Sequence, residues 1–206
     1  RRRLERCGSP SAVGAVHAAR GGPVASRRVE ATLLYADVRG FTSFAEAEDP
    51  ERVIAFLNAL LAIEIEAVGG CGGDVDKMIG DALLARFAGD GRQKRALEAA
   101  ARILEGVRRA ALPRGIGVGV YDGTVIGGAL GPEERQDFTV IGDAVNTAAR
   151  LCSAAKEGEL VADVRTLTAG GWPAAGQEEI MAKGKQLAVA AVRYRTDAAL
   201  ACAARG

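Results

Sequence analysis

Apolar and polar residues alternate along the chain in blocks that predict a mixture of strands and helices. Val29–Val38 is an almost continuous apolar run that ends beside a carboxylate, as expected for a strand buried on both faces. After Asp49 and Pro50, apolar residues recur with helical spacing until Gly69, where the pattern ends. This part of the chain therefore predicts a buried strand followed by a long amphipathic helix.

The middle of the chain predicts a hairpin and then a second helix. Two short apolar runs, around 75–79 and 82–87, flank Gly80 and Asp81, so Asp81 is expected at the tip of a tight turn. An alanine-rich stretch from about 92 to 111 then has the composition of a helix.

The last part of the chain predicts more strands around one helix. GIGVGVYDGTVIGGALG, residues 115–131, is interpreted as two glycine-punctuated strands whose small residues allow other backbones to approach closely. A helix is expected from about Asp143 to Ala155, and a pair of strands near the end of the chain. Elements in this order predict an α+β fold, or α/β sandwich.

Composition and charge mainly exclude classes of partner and of location. The chain has 206 residues, of which 49% are hydrophobic and 26% charged, and this suits one main globular domain. Its 27 basic and 26 acidic residues give a net charge of +1, so no nucleic-acid partner is expected. No apolar run reaches the roughly 18 residues of a membrane span. We therefore expect a cytoplasmic protein with no membrane span in this chain.

Three segments are expected to divide the chain. Residues 1–28 are rich in Arg, Gly, Ala, Ser and Pro without a sustained apolar period, and are interpreted as a linker or partly ordered lead-in. The compact domain is expected over 29–196, and a C-terminal tail over 197–206. The first residue is Arg1 and not methionine, which favours a piece of a longer protein and is compatible with regulatory domains upstream.

The cysteine and histidine residues do not indicate a metal site or a catalytic site. The four cysteines, Cys7, Cys71, Cys152 and Cys202, are scattered without a CxxC pair and are interpreted as reduced thiols. His17 is the single histidine and lies in the lead-in. A histidine-based catalytic triad or metal site is therefore nearly excluded.

Two aspartates stand where they could act together. Asp37 ends the first strand and Asp81 is expected at the hairpin tip, so both can project from one edge of the sheet. Carboxylates bind Mg²⁺, and two divalent ions about 3.5 to 4 Å apart can activate a hydroxyl and neutralise phosphate charge. The alternative is that each carboxylate makes only local hydrogen bonds at a strand end and a turn.

The segment after Asp37 could add a phosphate-binding turn. A turn that leads toward a helix is expected over Arg39, Gly40, Phe41, Thr42, Ser43 and Phe44, and successive backbone N–H groups in such a turn can cradle a phosphate. From the residues alone, a capped turn with two aromatic core anchors explains the same pattern.

Three segments, in this order, resemble the signature segments of class III adenylyl and guanylyl cyclases: LYADVRGFTSF, DKMIGDALLARF and DFTVIGDAVNTAARL. The resemblance runs from about Val29 to Tyr194 and includes the glycine pattern of residues 115–131. It implies a ferredoxin-like βαββαβ core. It also implies a head-to-tail homodimer that binds its substrate between the subunits.

The resemblance implies roles for individual residues. Asp37 and Asp81 match the two metal-binding aspartates, which would hold two Mg²⁺ or Mn²⁺ per site, and residues 41–44 match the turn over the triphosphate. Lys77 and Thr139 match the purine-selecting pair of ATP-using members. Guanylyl cyclases typically carry glutamate at the lysine position, so this pair favours ATP.

The remaining matched residues would contact the ribose and the phosphates. Asn146 and Arg150 are four residues apart and share one helical face, and the planar guanidinium of Arg150 suits a transition-state phosphate. Near the end, MAKGKQLAVAAVRY resembles the closing Lys-Gly-Lys strand of the family. Lys183, or else Lys185, would contact the triphosphate there.

The function implied is that of an adenylate cyclase. The ribose 3′-hydroxyl of ATP would attack the α-phosphorus, pyrophosphate would leave, and cyclic AMP would form. No dedicated side-chain base stands out, so the proton would pass to water or to the substrate phosphates. In the family the metals are bound by one subunit, and its partner supplies the residues that match Lys77, Thr139, Asn146, Arg150 and Lys183, so a homodimer would have two equivalent sites.

Of three alternatives, the first, a diguanylate cyclase, is set aside and the other two stay open. Gly72, Gly73 and Asp74 imitate the start of the GGDEF motif of diguanylate cyclases, but Val75 and Asp76 follow in place of Glu and Phe. Guanylyl cyclase activity would need only small changes in the purine pocket. A catalytically silent domain that binds nucleotide or dimerises is the third, although every matched catalytic position is filled.

Overall fold

A computed structural model of the chain describes residues 26–130, 137–181 and 188–205. Its first elements are β1 (Arg27–Val38), α1 (Phe41–Ala47), α2 (Pro50–Gly70), β2 (Asp74–Ile79), β3 (Ala82–Ala88) and α3 (Arg92–Arg109). The later ones are β4 (Ile116–Leu130), β5 (Asp137–Ile141), α4 (Asp143–Ala154), β6 (Glu159–Asp163), α5 (Val164–Ala169), β7 (Glu178–Met181), β8 (Ala188–Arg195) and α6 (Thr196–Ala203).

The strands form one mixed sheet with the order β2-β3-β1-β4-β6-β8-β7, and β5 pairs with the end of β4. Neighbouring strands are antiparallel except β4 and β6, which are parallel. In the first part of the chain, β1, β2, β3 and β4 alternate with helices in the βαββαβ order. The predicted α+β fold is therefore confirmed.

Side chains of β1 alternate between two hydrophobic cores. Leu34 and Ala36 pack on the face covered by α2 and α3, whereas Ala31 and Leu33 pack on the face covered by α4. Asp37 follows the same alternation and belongs to the α4 face. The strand thus delivers its final carboxylate to the side of the sheet where α4 lies.

β4 is one continuous strand, so the prediction of two strands in residues 115–131 was wrong. It pairs with β1 from Ile116 to Gly127, and this long ladder holds the glycine-rich segment extended. A Cβ atom at Gly119 would lie 2.2 Å from the backbone nitrogen of Cys152 in α4. The glycines therefore let α4 pack directly on the strand and do not end it.

The ribbon of β4 and β5 curls over the sheet. β5 pairs with the last residues of β4, yet Thr139 of β5 contacts Asp76 of β2, which lies beyond β1 and β3 in the sheet order. Val140 of β5 packs in one core with Leu84 of β3. The curl thus brings the third signature segment against the second.

Helix α2 is, by length and composition alone, able to cross a membrane, and it is the one such helix among the described residues. A core helix of a globular domain meets the same criterion. Phe56, Leu60 and Val68 of α2 are buried in the main core. Glu64 is buried with them.

The end of the chain contains more structure than a tail. Residues expected as a tail, 197–206, include most of α6, whose Ala199 and Cys202 are buried in the main core. At the other end β1 starts at Arg27, two residues before the expected boundary, and residues 1–25 of the expected lead-in lie outside the described ranges.

Candidate active site

The fold brings Asp37 and Asp81 together at one end of the sheet. Asp37 pairs in register with Ala82, the first residue of β3, so Asp81 in the preceding turn is its neighbour. The two carboxyl groups are within hydrogen-bonding reach. Burial raises the pKa of Asp37, the guanidinium of Arg39 lowers it in part, and the adjacent Asp81 raises it again. A cation would relieve this crowding of negative charge.

The donor set suits Mg²⁺ or Mn²⁺ that arrives with a nucleotide. Within residues 26–130, 137–181 and 188–205, no group of three or more His, Cys, Asp or Glu side chains could hold a metal ion. Mg²⁺ needs no such group, since one or two carboxylates commonly bind it while water and substrate phosphates complete its octahedron. Asp37 and Asp81 therefore fit the predicted metal site.

Arg39 ties Asp37 to the C-terminal end of α4. Its Nη2 atom lies 2.5 Å from Asp37 Oδ2, and its Nε donates to the Asp37 carbonyl oxygen at 3.2 Å. Its Nη1 donates to the carbonyl oxygens of Cys152 and Ala155 at 3.4 and 3.3 Å. The sequence placed Arg39 in the turn after Asp37, inside the first signature segment, but did not predict these contacts.

Residues 41–44, expected as a turn, form the start of α1. Gly40 precedes them with φ 67°, a left-handed conformation that glycine adopts without strain and that turns the chain sharply after β1. Phe44 is buried and its N–H donates to the Gly40 oxygen, whereas Thr42 and Ser43 are exposed. Phe44 is thus a core anchor. The backbone N–H groups of the residues before it have no partner within the helix, so they are the groups that could bind a phosphate.

Lys77 and Thr139 meet through Asp76. Thr139 Oγ1 donates to Asp76 Oδ2 at 2.7 Å, and Lys77 Nζ lies 3.9 Å from the same oxygen. The side chain of Lys77 is 37% exposed, that of Asp76 is 1% exposed, and Thr139 is 3% exposed. The structure therefore brings the predicted purine-selecting pair together, with Lys77 the more accessible member.

Asp76 is a site residue that sequence reasoning missed. Burial raises the pKa of its carboxyl group, while the hydrogen bond from Thr139 and the charge of Lys77 lower it in part. Its signals in the sequence were its place at the start of the second signature segment and its position beside Lys77 in a predicted strand. Its partner Thr139 lies 63 residues away in the chain.

Asn146 and Arg150 lie on α4, with Asn146 exposed and Arg150 half-buried. The Nη1 atom of Arg150 is buried and has no hydrogen-bond partner in the described parts of the chain. A buried donor without a partner is unfavourable, so this nitrogen is ready to bind an anion. Lys183 and Lys185 lie outside the described residues.

Comparison with known proteins decides the family. The sequence matches the profile of the adenylate and guanylate cyclase catalytic domain over residues 24–189. The chain belongs to this family. It is 40% identical over 142 residues to an adenylate cyclase of Anabaena cylindrica, covering 63% of this chain and 28% of that protein. The terminal-differentiation-specific adenylate cyclase of Dictyostelium discoideum is 35% identical over 137 residues, 61% of this chain and 6% of that protein.

The cyclase domain therefore spans less than a third of the length of these two relatives. Its fold matches the crystal structure of the guanylyl cyclase Cya2 with a TM-score of 0.76 and 28% identity, covering 81% of this chain and 91% of that one. The adenylyl cyclase CyaB from P. aeruginosa matches with a TM-score of 0.70 and 26% identity, covering 81% and 94%. Cyclases of both kinds share the fold, so the purine must be argued from the site.

Proposed function

We propose that this cyclase domain converts ATP into 3′,5′-cyclic AMP and pyrophosphate in the cytoplasm. The observation that carries the proposal is the pair of adjoining carboxylates, Asp37 and Asp81, at the end of the sheet in a chain of this family. The unbridged thiols of Cys71, Cys152 and Cys202 suit a reducing compartment.

The two aspartates would hold two Mg²⁺ or Mn²⁺ ions, which polarise the attacking hydroxyl and neutralise phosphate charge when bound. Attack of the ribose 3′-oxygen on the α-phosphorus forms one P–O bond and breaks another, and pyrophosphate leaves. The hydroxyl proton passes to water or to a phosphate oxygen. In this step Asp37 and Asp81 would act as metal ligands and not as a general base.

The other matched residues would position the substrate and stabilise charge. Lys77 and Thr139 bind the purine edge, Asn146 orients the ribose, and Arg150 donates to the phosphates as charge builds on them. The unpartnered Nη1 of Arg150 supports this role. Residues 41–44 and Lys183 would contact the triphosphate.

We propose that each site is shared between two copies of the chain in a head-to-tail homodimer. No hydrogen bond or ion pair in the described ranges joins Asp37 or Asp81 to Asn146 or Arg150. Within one copy, the metal-binding half and the substrate-binding half of the proposed site are therefore not joined. Exposed apolar side chains at the β2–β3 turn and along the β4–β5 ribbon would supply interface area; they are Met78, Ile79, Ile126 and Ile141.

Guanylyl cyclase activity is the second candidate, because the guanylyl cyclase Cya2 has the same fold at 28% identity. Lys77 argues against it, since the resemblance places glutamate there in enzymes that use GTP. We expect the purified chain to form cyclic AMP from ATP with Mg²⁺ or Mn²⁺, measured by chromatography, and to use GTP far less well. A verified dimer that forms no cyclic nucleotide from either substrate would overturn the proposal.

A further inference from the structure

Asp76 occupies an irregular position in β2. Val75 pairs with Ala85 and Lys77 pairs with Leu84, so Asp76 is an extra residue between two regular pairs, as in a β-bulge. Bulges bend a strand and re-aim the side chain at the extra position. Here the carboxyl group is directed away from solvent, with 1% of the side chain exposed.

Three donors surround this buried carboxylate. Thr139 Oγ1 donates to Asp76 Oδ2 at 2.7 Å, the backbone N–H of Val140 donates to the same group, and Lys77 Nζ stands 3.9 Å away. A buried carboxylate is very unfavourable unless donors of this kind satisfy it. The carboxylate therefore joins the bulge of β2 to β5 and sits between the two residues of the predicted purine-selecting pair.

The direction of the Thr139 hydrogen bond limits what that residue can offer a ligand. A threonine hydroxyl has one hydrogen to donate and two lone pairs that accept. Asp76 takes the hydrogen, so the Thr139 oxygen can only accept a hydrogen bond from a base. The ammonium of Lys77, in contrast, can only donate.

These fixed polarities match one purine edge and oppose the other. Adenine has a donating amino group at C6 and an accepting N1, whereas guanine has an accepting oxygen at C6 and a hydrogen on N1. An acceptor at Thr139 and a donor at Lys77 complement the adenine edge. At the guanine edge, the Thr139 oxygen would face the accepting oxygen at C6, and the Lys77 ammonium would face the hydrogen on N1.

We propose that Asp76 is a positioning residue for purine selection: it fixes the Thr139 hydroxyl as an acceptor and holds the Lys77 ammonium, and thereby favours 6-amino over 6-oxo purines. The inference rests on the proposed cyclase function and deepens it.

The test uses substrates that differ at the purine 6-position. ITP carries the 6-oxo group and the N1 hydrogen but lacks the 2-amino group of GTP, so the comparison of ATP with ITP isolates this edge. In Asp76→Asn the amide can donate to Thr139, which frees the hydroxyl hydrogen to turn toward the base. We expect the ratio of kcat/KM for ATP to that for ITP to fall about tenfold in verified Asp76→Asn dimers, the value of one hydrogen bond.

Variants of Thr139 test the same link from its other end. Thr139→Ser keeps the hydroxyl and should keep the ATP to ITP ratio, whereas Thr139→Val removes it and should lower the ratio as Asp76→Asn does. Because the two residues act through one hydrogen bond, adding Asp76→Asn to Thr139→Val should change the ratio less than about twofold further. If Asp76→Asn fails to fold by thermal melting, the serine and valine variants decide the question.

Asp74→Asn is the matched control, since Asp74 lies in the same strand and its carboxylate pairs with Arg86 at 3.2 Å. It should change kcat/KM for ATP and ITP by the same factor. Equal losses for both nucleotides in Asp76→Asn, or an unchanged ratio in Thr139→Val, would overturn the inference while leaving ATP cyclisation intact. A wild-type dimer that cyclises neither ATP nor ITP would overturn the proposed function and this inference with it.

Discussion

The guanidinium of Arg39 lies 2.5 Å from the Asp37 carboxylate and also donates to the carbonyl oxygens of Cys152, in the last turn of α4, and of Ala155, which follows that helix. Asp37 is a proposed metal ligand, and α4 carries Asn146 and Arg150. In a head-to-tail dimer these two groups would serve different sites. Arg39 therefore connects the two proposed sites through one chain.

Arg39→Gln should destabilise the domain, because it removes several hydrogen bonds from a part-buried cation. We expect the free energy of unfolding in urea to fall by about 2 to 3 kcal/mol. Arg52→Gln is the control, since the exposed Arg52 of α2 pairs, within the described chain, only with Glu48, just before that helix, and its loss should cost less than about 0.5 kcal/mol. Equal losses in the two variants would show that Arg39 does not hold α4 to β1.

Glu64 should make the domain less stable as pH rises. It is 2% exposed, and burial raises its pKa from 4.5 to about 8. Its stabilising contribution is complete below pH 4.5, where both states are protonated, and is lost progressively up to about pH 8 because only the unfolded chain ionises in between. The expected slope is about −1 kcal/mol per pH unit.

Glu64→Gln should remove this slope, whereas Glu66→Gln, at an exposed position of the same helix, should keep it. The quantity to measure is the difference in unfolding free energy between wild type and variant at each pH, since contributions of other groups then cancel. A difference that does not change between pH 5 and 8 would contradict the assignment.

Gly119→Ala should displace α4. The new Cβ would lie 2.2 Å from the Cys152 nitrogen and 2.3 Å from the Ala148 oxygen, both backbone atoms of that helix. We expect a loss of about 1 to 3 kcal/mol in unfolding free energy. Cyclase activity should fall with it, since Asn146 and Arg150 move. Gly127→Ala, in the same strand with its nearest contact at 3.8 Å, should be well tolerated; similar losses in both would argue against the close packing.

Arg150→Met should lower the turnover number without lowering the stability of the domain. Its Nη1 is buried without a partner in the described chain, so removing the guanidinium should leave the unfolding free energy unchanged or raise it. The turnover number should fall about 10² to 10³-fold, as for loss of a transition-state donor. A large loss of stability with normal turnover would mean that Arg150 is structural.

The features that the sequence predicted well depend on neighbours in the chain. The strand that ends at Asp37, the turn at Asp81 and the helix that ends after Gly69 follow from local apolar runs, glycine and turn chemistry. Glycine gives an ambiguous signal in β4, since it marks either a break or a close approach. Only the packing of α4 on Gly119 decides between them.

The roles of Arg39 and Asp76 could not be predicted in this way, because their partners are distant. Arg39 binds carbonyl oxygens 113 and 116 residues away, and Asp76 meets Thr139 only because the β4–β5 ribbon curls back over the sheet. Every residue has a backbone carbonyl group, so the sequence does not show which carbonyl groups accept a hydrogen bond from a side chain. Residues that orient the site residues through distant contacts are therefore harder to predict than the site residues that belong to a sequence motif.

The measurement that tests the central proposal most directly mixes two inactive proteins, Asp37→Ala and Asn146→Ala. If each site takes its aspartates from one copy and Asn146 from the other, half of the randomly paired dimers are heterodimers, each with one intact site. An equal mixture should therefore form cyclic AMP from ATP at about a quarter of the wild-type rate. No regained activity, in a mixture shown by native mass spectrometry to contain heterodimers, would contradict a shared site.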